Sequence, residues 1–193
     1  MKSFKVLGAV AVALVPVVTA AQSPAPYSAV EITASALHSP PRAPLSNYYT
    51  GGSGYALDVG LPLPVGTATL TGVSVPFHGM LDSYRDFTAT EALLGWEMAL
   101  PLHGRVTARA GVRTGEFMMA FDDTVIAAGL RDEKELMLGA TGEAAVRIAG
   151  PWSIAARASW DHVHLHVPTH FLSLQAGLRY TAGLPDWVQE FLR

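Results

Sequence analysis

Residues 171–182 constrain the fold more than any other part of this sequence. Leu172, Leu174, Ala176, Leu178 and Tyr180 occupy alternate positions, with Ser173, Gln175, Gly177, Arg179 and Thr181 between them. An extended backbone sends consecutive side chains to opposite faces, so this spacing predicts a strand with one apolar and one polar side. The division recurs over residues 136–148, where Leu138, Ala140, Ala144, Val146 and Ile148 oppose Thr141, Glu143 and Arg147. It recurs again over 105–113, where Val106, Ala108, Ala110 and Val112 oppose Arg105, Thr107, Arg109, Gly111 and Arg113. Weaker copies cover 55–65 around Asp58, 91–100 with Glu91 and Glu97, and 152–160 with Ser153, Arg157 and Ser159. Residues 27–38, which carry Glu31, supply a first strand. Residues 67–77 have strand composition, but their apolar phase switches near Gly72, the mark of a bulge.

The connections between these segments alternate in length. Turn-forming residues make tight joints around Gly66, at His103-Gly104 and at Gly150-Pro151. Longer connections occupy 39–53, 78–85 and 122–134, with a shorter one near Pro168. Such alternation predicts an all-β, up-and-down antiparallel barrel of eight strands, in which tight turns gather on one rim and loops on the other. An even strand count puts both chain ends on the tight-turn rim, the periplasmic side of a bacterial outer-membrane barrel.

Which face looks inward separates a transmembrane barrel from a soluble one. The polar face consists mainly of Gly, Ala, Ser and Thr with scattered Arg and Glu, which suits a narrow interior. Lys134 is the only lysine after Lys5, whereas a water-facing surface usually carries several. Tyr55, Trp152, Trp160 and Tyr180 stand near predicted strand ends, where amphipathic rings meet lipid headgroups; Trp96 stands nearer mid-strand. With the apolar faces outward, Glu31, Asp58, Glu91, Glu97 and Glu143 share the lumen with Arg105, Arg109, Arg113, Arg147, Arg157 and Arg179. These charges can neutralise one another, the planar arginine fork bonding several acceptors at once. Eight strands enclose a space that side chains fill, so no wide diffusion pore is expected. The soluble alternative is a periplasmic lipocalin-like carrier, with the aliphatic residues inside around a cavity.

Over residues 27–182 the pattern resembles the small eight-stranded outer-membrane β-barrel family of the OmpA/OmpX type. The most specific piece is Gln175-Ala176-Gly177-Leu178-Arg179-Tyr180-Thr181-Ala182. It is similar to the last-strand signal read by the barrel assembly machinery, with Gln175, Gly177 and Tyr180 carrying the likeness. The resemblance implies insertion into outer-membrane lipid through that machinery, as a monomer without cofactors. It does not imply a chemical activity, since fold alone does not set function; the role expected for this chain is non-enzymatic, structural or surface-interacting.

The flanking segments fit the same destination. Lys2 and Lys5 precede an apolar run over 6–18 and the small residues Thr19, Ala20 and Ala21, which predicts a secretory signal peptide over 1–21, removed from the mature chain. That run falls short of the roughly 20 residues a helix needs to cross a bilayer. The barrel then occupies 22–182. Beyond it Leu184, Trp187, Val188, Phe191 and Leu192 fall at helical spacing, predicting a short amphipathic helix or tail over 183–193 that lies on the bilayer or against the rim. The formal charge of −3 leaves no basic surface to attract polyanions, so nucleic acid is not an expected partner. A cysteine count of zero excludes disulfides, thiolate nucleophiles and cysteine zinc sites.

Three constellations compete with a purely structural reading. His162, His164, His166 and His170 crowd one region, with Asp161 as an oxygen donor beside them. Strand neighbours two apart are about 6.5–7 Å from each other, so a metal there requires a second ligand-bearing strand, and no metal is assigned from sequence. Ser159, Asp161, His162, His170 and Ser173 supply the residue types of a lipid-modifying hydrolase or acyltransferase, the enzymatic alternative, but match no enzyme motif. Asp122, Asp123, Asp132, Glu133 and Glu135 surround an apolar stretch in a spacing that fits no calcium loop; they read as a solvated loop through which an extracellular partner could be met. Gly51-Gly52-Ser53-Gly54 lacks the lysine and helix of a phosphate cradle.

Overall fold

A computed structural model describes residues 25–81, 84–102, 105–121, 133–164 and 169–192. The expected signal peptide, the His103-Gly104 joint, most of the 122–134 loop and His166 lie outside the described residues. The alternating segments form β1 (Ala29–Ser39), β3 (Gly52–Pro62), β4 (Thr67–Gly79), β5 (Phe87–Pro101), β6 (Val106–Phe121), β7 (Glu133–Ala149), β8 (Trp152–Val163) and β9 (Thr169–Gly183). A two-residue strand, β2 (Tyr49–Thr50), adds to the loop end of β4. Each long strand pairs antiparallel with its sequence neighbour, and β1 meets β9 from Ala29↔Gly183 to His38↔Leu174. The sheet therefore closes on itself, and no long strand keeps an unpaired edge.

The turn at Gly66, whose φ of 77° suits glycine, and the turn at Gly150 share one rim with the start of β1 and the end of β9. The opposite rim carries the 40–51 segment, the 78–86 loop and the long ends of β5, β6 and β7. Those strands run 15, 16 and 17 residues, beyond the roughly 9–11 a tilted strand needs to cross a bilayer. After β9 a helix of about two turns, α1 (Asp186–Leu192), exposes Trp187 and Phe191. Among the described residues no helix is long and apolar enough to cross a membrane.

Polarity across the wall is inverted relative to a soluble protein. Ile32, Leu57, Leu70, Leu94, Val112, Leu138, Ile154, Leu174 and Leu178 face outward and are exposed, while Glu31, Asp58, Glu97, Arg109, Glu143, Arg157 and Arg179 are buried inside. This rules out the lipocalin-like arrangement, which needs the aliphatic side chains of the wall to line a cavity. Trp96, Trp152 and Tyr180 mark the turn end of the outer surface, and Trp160 the loop end. Trp96 reaches the turn end because closure staggers the strands: it pairs with Ala68, beside the Gly66 turn.

The bulge expected near Gly72 is not formed. Register runs without a shift from Tyr55↔Ser74 to Pro62↔Thr67 on one side of β4, and from Thr67↔Glu97 to Phe77↔Phe87 on the other. Thr67, Thr69, Thr71, Val73, Val75 and Phe77 all point inward. What switches is the chemistry of the lumen, from polar in the turn-side half to apolar in the loop-side half. There Phe77 stacks on Phe87 with ring centroids 4.9 Å apart, and Phe117 packs on Phe171 at 5.1 Å, among Leu93, Met119, Met137 and Val163. Each of these rings contributes about 1.5–3 kcal/mol by leaving water. The irregularity in register falls instead between Arg147 and Ala149, at the turn end of β7.

Inward glycines make room for the buried polar side chains. A Cβ on Gly139 would stand 1.9 Å from Asp161 Oδ1, whereas Gly142, three residues on and outward, has nothing within 4 Å. Gly139→Ala is therefore expected to lower the unfolding free energy in detergent by about 1–3 kcal/mol through overpacking. Gly142→Ala should leave the urea midpoint nearly unchanged, which makes the pair a test of which face is enclosed.

Candidate functional site

The alternation of β1, β3, β5, β6, β7, β8 and β9 delivers ionised side chains from seven strands into one enclosed layer. Arg109 grips Glu31 with both guanidinium nitrogens, Nη1 to Oε2 at 2.5 Å and Nη2 to Oε1 at 2.7 Å. Arg157 reaches Asp58 at 2.5 Å, Glu143 at 2.9 Å and Glu97 at 3.0 Å. Arg179 donates to Glu143 Oε1 at 2.5 Å and to Thr33 Oγ1 at 3.0 Å, and its other terminal nitrogen lies 3.8 Å from Glu31. Thr71 Oγ1 completes the Asp58 shell at 2.6 Å. One continuous chain of contacts thus links Asp58, Arg157, Glu143, Arg179, Glu31 and Arg109.

A second group stands nearer the loop end. Arg113 clamps Asp161 through Nε and Nη2 at 2.7 and 2.5 Å, donates to Ser159 Oγ at 2.8 Å, and lies 4.0 Å from Glu91. Directly above it the aromatic cluster fills the lumen. Because these side chains are buried, removal of one member leaves its partners as uncompensated charges, which is costlier than the net gain from forming the pair.

Two arginines expected in this layer are not there. Arg105 precedes β6 and Arg147 sits at the register shift of β7; both are exposed at the turn end, where the Arg147 amide donates to the Arg105 carbonyl at 3.0 Å. They keep the inward phase of their strands but lie where the lumen opens to water. Asp161, read from sequence as a companion of the histidines, is instead buried on the inner face. The buried layer among the described residues thus holds Glu31, Asp58, Glu91, Glu97, Glu143 and Asp161 against Arg109, Arg113, Arg157 and Arg179, six carboxylates to four guanidiniums.

The enzymatic constellation does not assemble. Ser159, Asp161 and Ser173 point into the lumen, while His162 and His170 stand on the outer side of the same two strands. Strand alternation puts the sheet between base and nucleophile. Gln175 and Gly177 face inward and Tyr180 outward. Gly177 lies against β1 at the seam, where a Cβ would meet Ala34 O at 2.2 Å and Ser35 Oγ at 2.4 Å. Of the acidic loop, Glu135 is half-buried at the loop end of β7. Elsewhere on that rim Asp86 accepts from His78 at 2.7 Å and from the Gly79 amide at 2.9 Å; these two bonds hold its carboxyl below the ordinary range.

The fold defined by this geometry is that of the small outer-membrane β-barrels. The chain is similar to Neisserial surface protein A, with a TM-score of 0.62 at 13% identity, over 78% of this chain and 96% of that one. It is also similar to Ail, the attachment invasion locus protein of Yersinia pestis, crystallised with the heparin analogue sucrose octasulfate, with a TM-score of 0.51 at 9% identity, over 80% of this chain and 97% of that one. No protein-family model and no curated protein matches the sequence.

The ion layer yields a direct test. Arg109→Leu and Arg157→Leu should each destabilise the barrel by about 3–5 kcal/mol, read from equilibrium unfolding in detergent. Arg147→Leu, at an exposed site, should fall within about 0.5 kcal/mol of the parent.

Proposed function

We propose that the protein is a non-enzymatic barrel of the bacterial outer membrane, with the tight-turn rim in the periplasm and the loop rim outside. One observation carries this reading: aliphatic side chains cover the outer wall while arginines and carboxylates are enclosed behind it. Such a surface is stable only against acyl chains, because in water the exposed apolar belt drives association. The aromatic residues at the two ends of the belt fit the headgroup levels, and Trp187 and Phe191 of α1 fit the periplasmic leaflet.

The lumen does not serve as a diffusion route. Side chains crowd it along its length, with the Arg157 network in the turn-side half and the Arg113 group beside the phenylalanine cluster in the loop-side half. What the protein offers its surroundings is the loop rim, where Tyr48, Met80 and Leu81 are exposed around the Tyr49, Tyr84 and Phe87 rings. Contact with an extracellular partner through this rim is the role the arrangement supports best. The reading includes removal of residues 1–21, insertion by the barrel assembly machinery through the Gln175, Gly177 and Tyr180 signal of the closing strand, and a monomeric state in lipid.

Fractionation of cells expressing the full chain tests this directly. The protein should sediment with outer membranes, require detergent for extraction, and migrate faster on gels when unheated. In planar bilayers it should give no stepwise ion conductance. A protein recovered in soluble form without detergent would contradict the reading.

A further inference from the structure

The outer face of β8 and β9 carries His162 and His170 at its loop end, and His164 follows one residue after β8. His162 and His170 are direct cross-strand partners. Their ring centroids lie 4.7 Å apart and their Nδ1 atoms 3.4 Å apart. His164 packs edge-on against His162, centroids 4.6 Å apart, with its amide and Nδ1 both near Leu136 O. The second ligand-bearing strand that the sequence spacing demanded is thus β9, paired antiparallel with β8.

The 3.4 Å separation is informative. Two imidazole nitrogens bound to one tetrahedral zinc at about 2.0–2.1 Å stand roughly 3.3–3.4 Å from each other. A direct hydrogen bond between two ring nitrogens is normally shorter, about 2.7–3.2 Å. The rings are half-exposed at the loop end, two residues beyond Trp160, so a hydrated ion reaches them from outside. Imidazole nitrogens suit zinc, copper and nickel and are poor donors for calcium or magnesium.

We propose that His162 and His170 form a two-imidazole clip for a divalent transition-metal ion on the outer face of the barrel. Among the described residues no three ligating groups converge on one point. The clip therefore binds through two nitrogens, with water in the other positions and His164 placed to join by rotation of its side chain. Asp161, adjacent in sequence, takes no part, because it points into the lumen toward Arg113. Ion binding here ties β8 to β9 at the loop end without touching the buried charge layer.

Trp160 supplies a readout, its ring centroid 5.4 Å from that of His170. Titration of copper(II) into the tag-free, folded protein in detergent should quench part of the tryptophan emission in a saturable, one-to-one manner. Zinc, which does not quench, should restore it by competition. His162→Ala and His170→Ala should each weaken copper binding by at least about tenfold. His38→Ala and His78→Ala, elsewhere on the outer surface and loop rim, should not. Trp160→Phe should abolish the site's quenching while calorimetry still finds the ion bound. Heat-modifiable migration on gels confirms that each variant is folded. Parent-like binding by both clip variants, or quenching that neither saturates nor yields to zinc, would overturn the proposal.

Discussion

Arg157 is the interaction on which the structure turns. Its guanidinium lies within 3.0 Å of carboxylates from three other strands, Asp58, Glu97 and Glu143. Those acids are tolerable inside a narrow barrel only while the cation remains, and the cation only while the acids do. The consequence is a lock on register. A one-residue slip in β3, β5, β7 or β8 would turn a charge outward into the apolar belt and leave its partner unpaired within. Hydrophobic burial, which selects register in soluble sheets, does little of this in a wall whose aliphatic side chains are exposed on the outer side.

The two halves of the lumen divide the work. Charges occupy the turn-side half and reach into the loop-side half at Glu91 and Asp161, the direct cross-strand partners of Phe117 and Phe171; glycines leave space for them, Gly139 beside Asp161 and Gly111 beside Glu97 among them. The loop-side half contains Phe77, Phe87, Phe117 and Phe171, and behaves as a small conventional core. That core packs the loop-side ends of β5, β6 and β7 together, through Phe87, Phe117, Met119 and Met137. It also stands between the Arg157 network and the loop rim, and so apolar a neighbour strengthens the charge pairs that lie against it.

Much of this was legible in residue order because alternation is a backbone property and survives any surroundings. The two faces of β9 follow directly from residues 172–181. Three features escaped for physical reasons. Along β4 the inner face changes from threonine to valine and phenylalanine at constant phase, and a change of lumen chemistry imitates a bulge. Arg105 and Arg147 keep the inward phase yet sit where the strands end, and periodicity says which way a side chain points without saying whether anything covers it. The stagger that brings Trp96 to the turn rim, and the pairing of His162 with His170, depend on closure of the whole ring, which no local window contains. Asp161 could have been recognised, since it shares its phase with Arg157 and Ser159; its histidine neighbours drew attention to the wrong face.

The central claim is that oily side chains look toward acyl chains and ionised ones toward each other. Because the chain has a cysteine count of zero, single cysteines carrying a nitroxide can be placed in turn at residues 172–176 and 178 of the barrel in lipid vesicles. Collision rates with oxygen and with a water-soluble nickel chelate should oscillate with a period of two: Leu172, Leu174, Ala176 and Leu178 open to oxygen, Ser173 and Gln175 closed to both. Labels at the leucines shielded from oxygen, with those at Ser173 and Gln175 open to the chelate, would contradict the account.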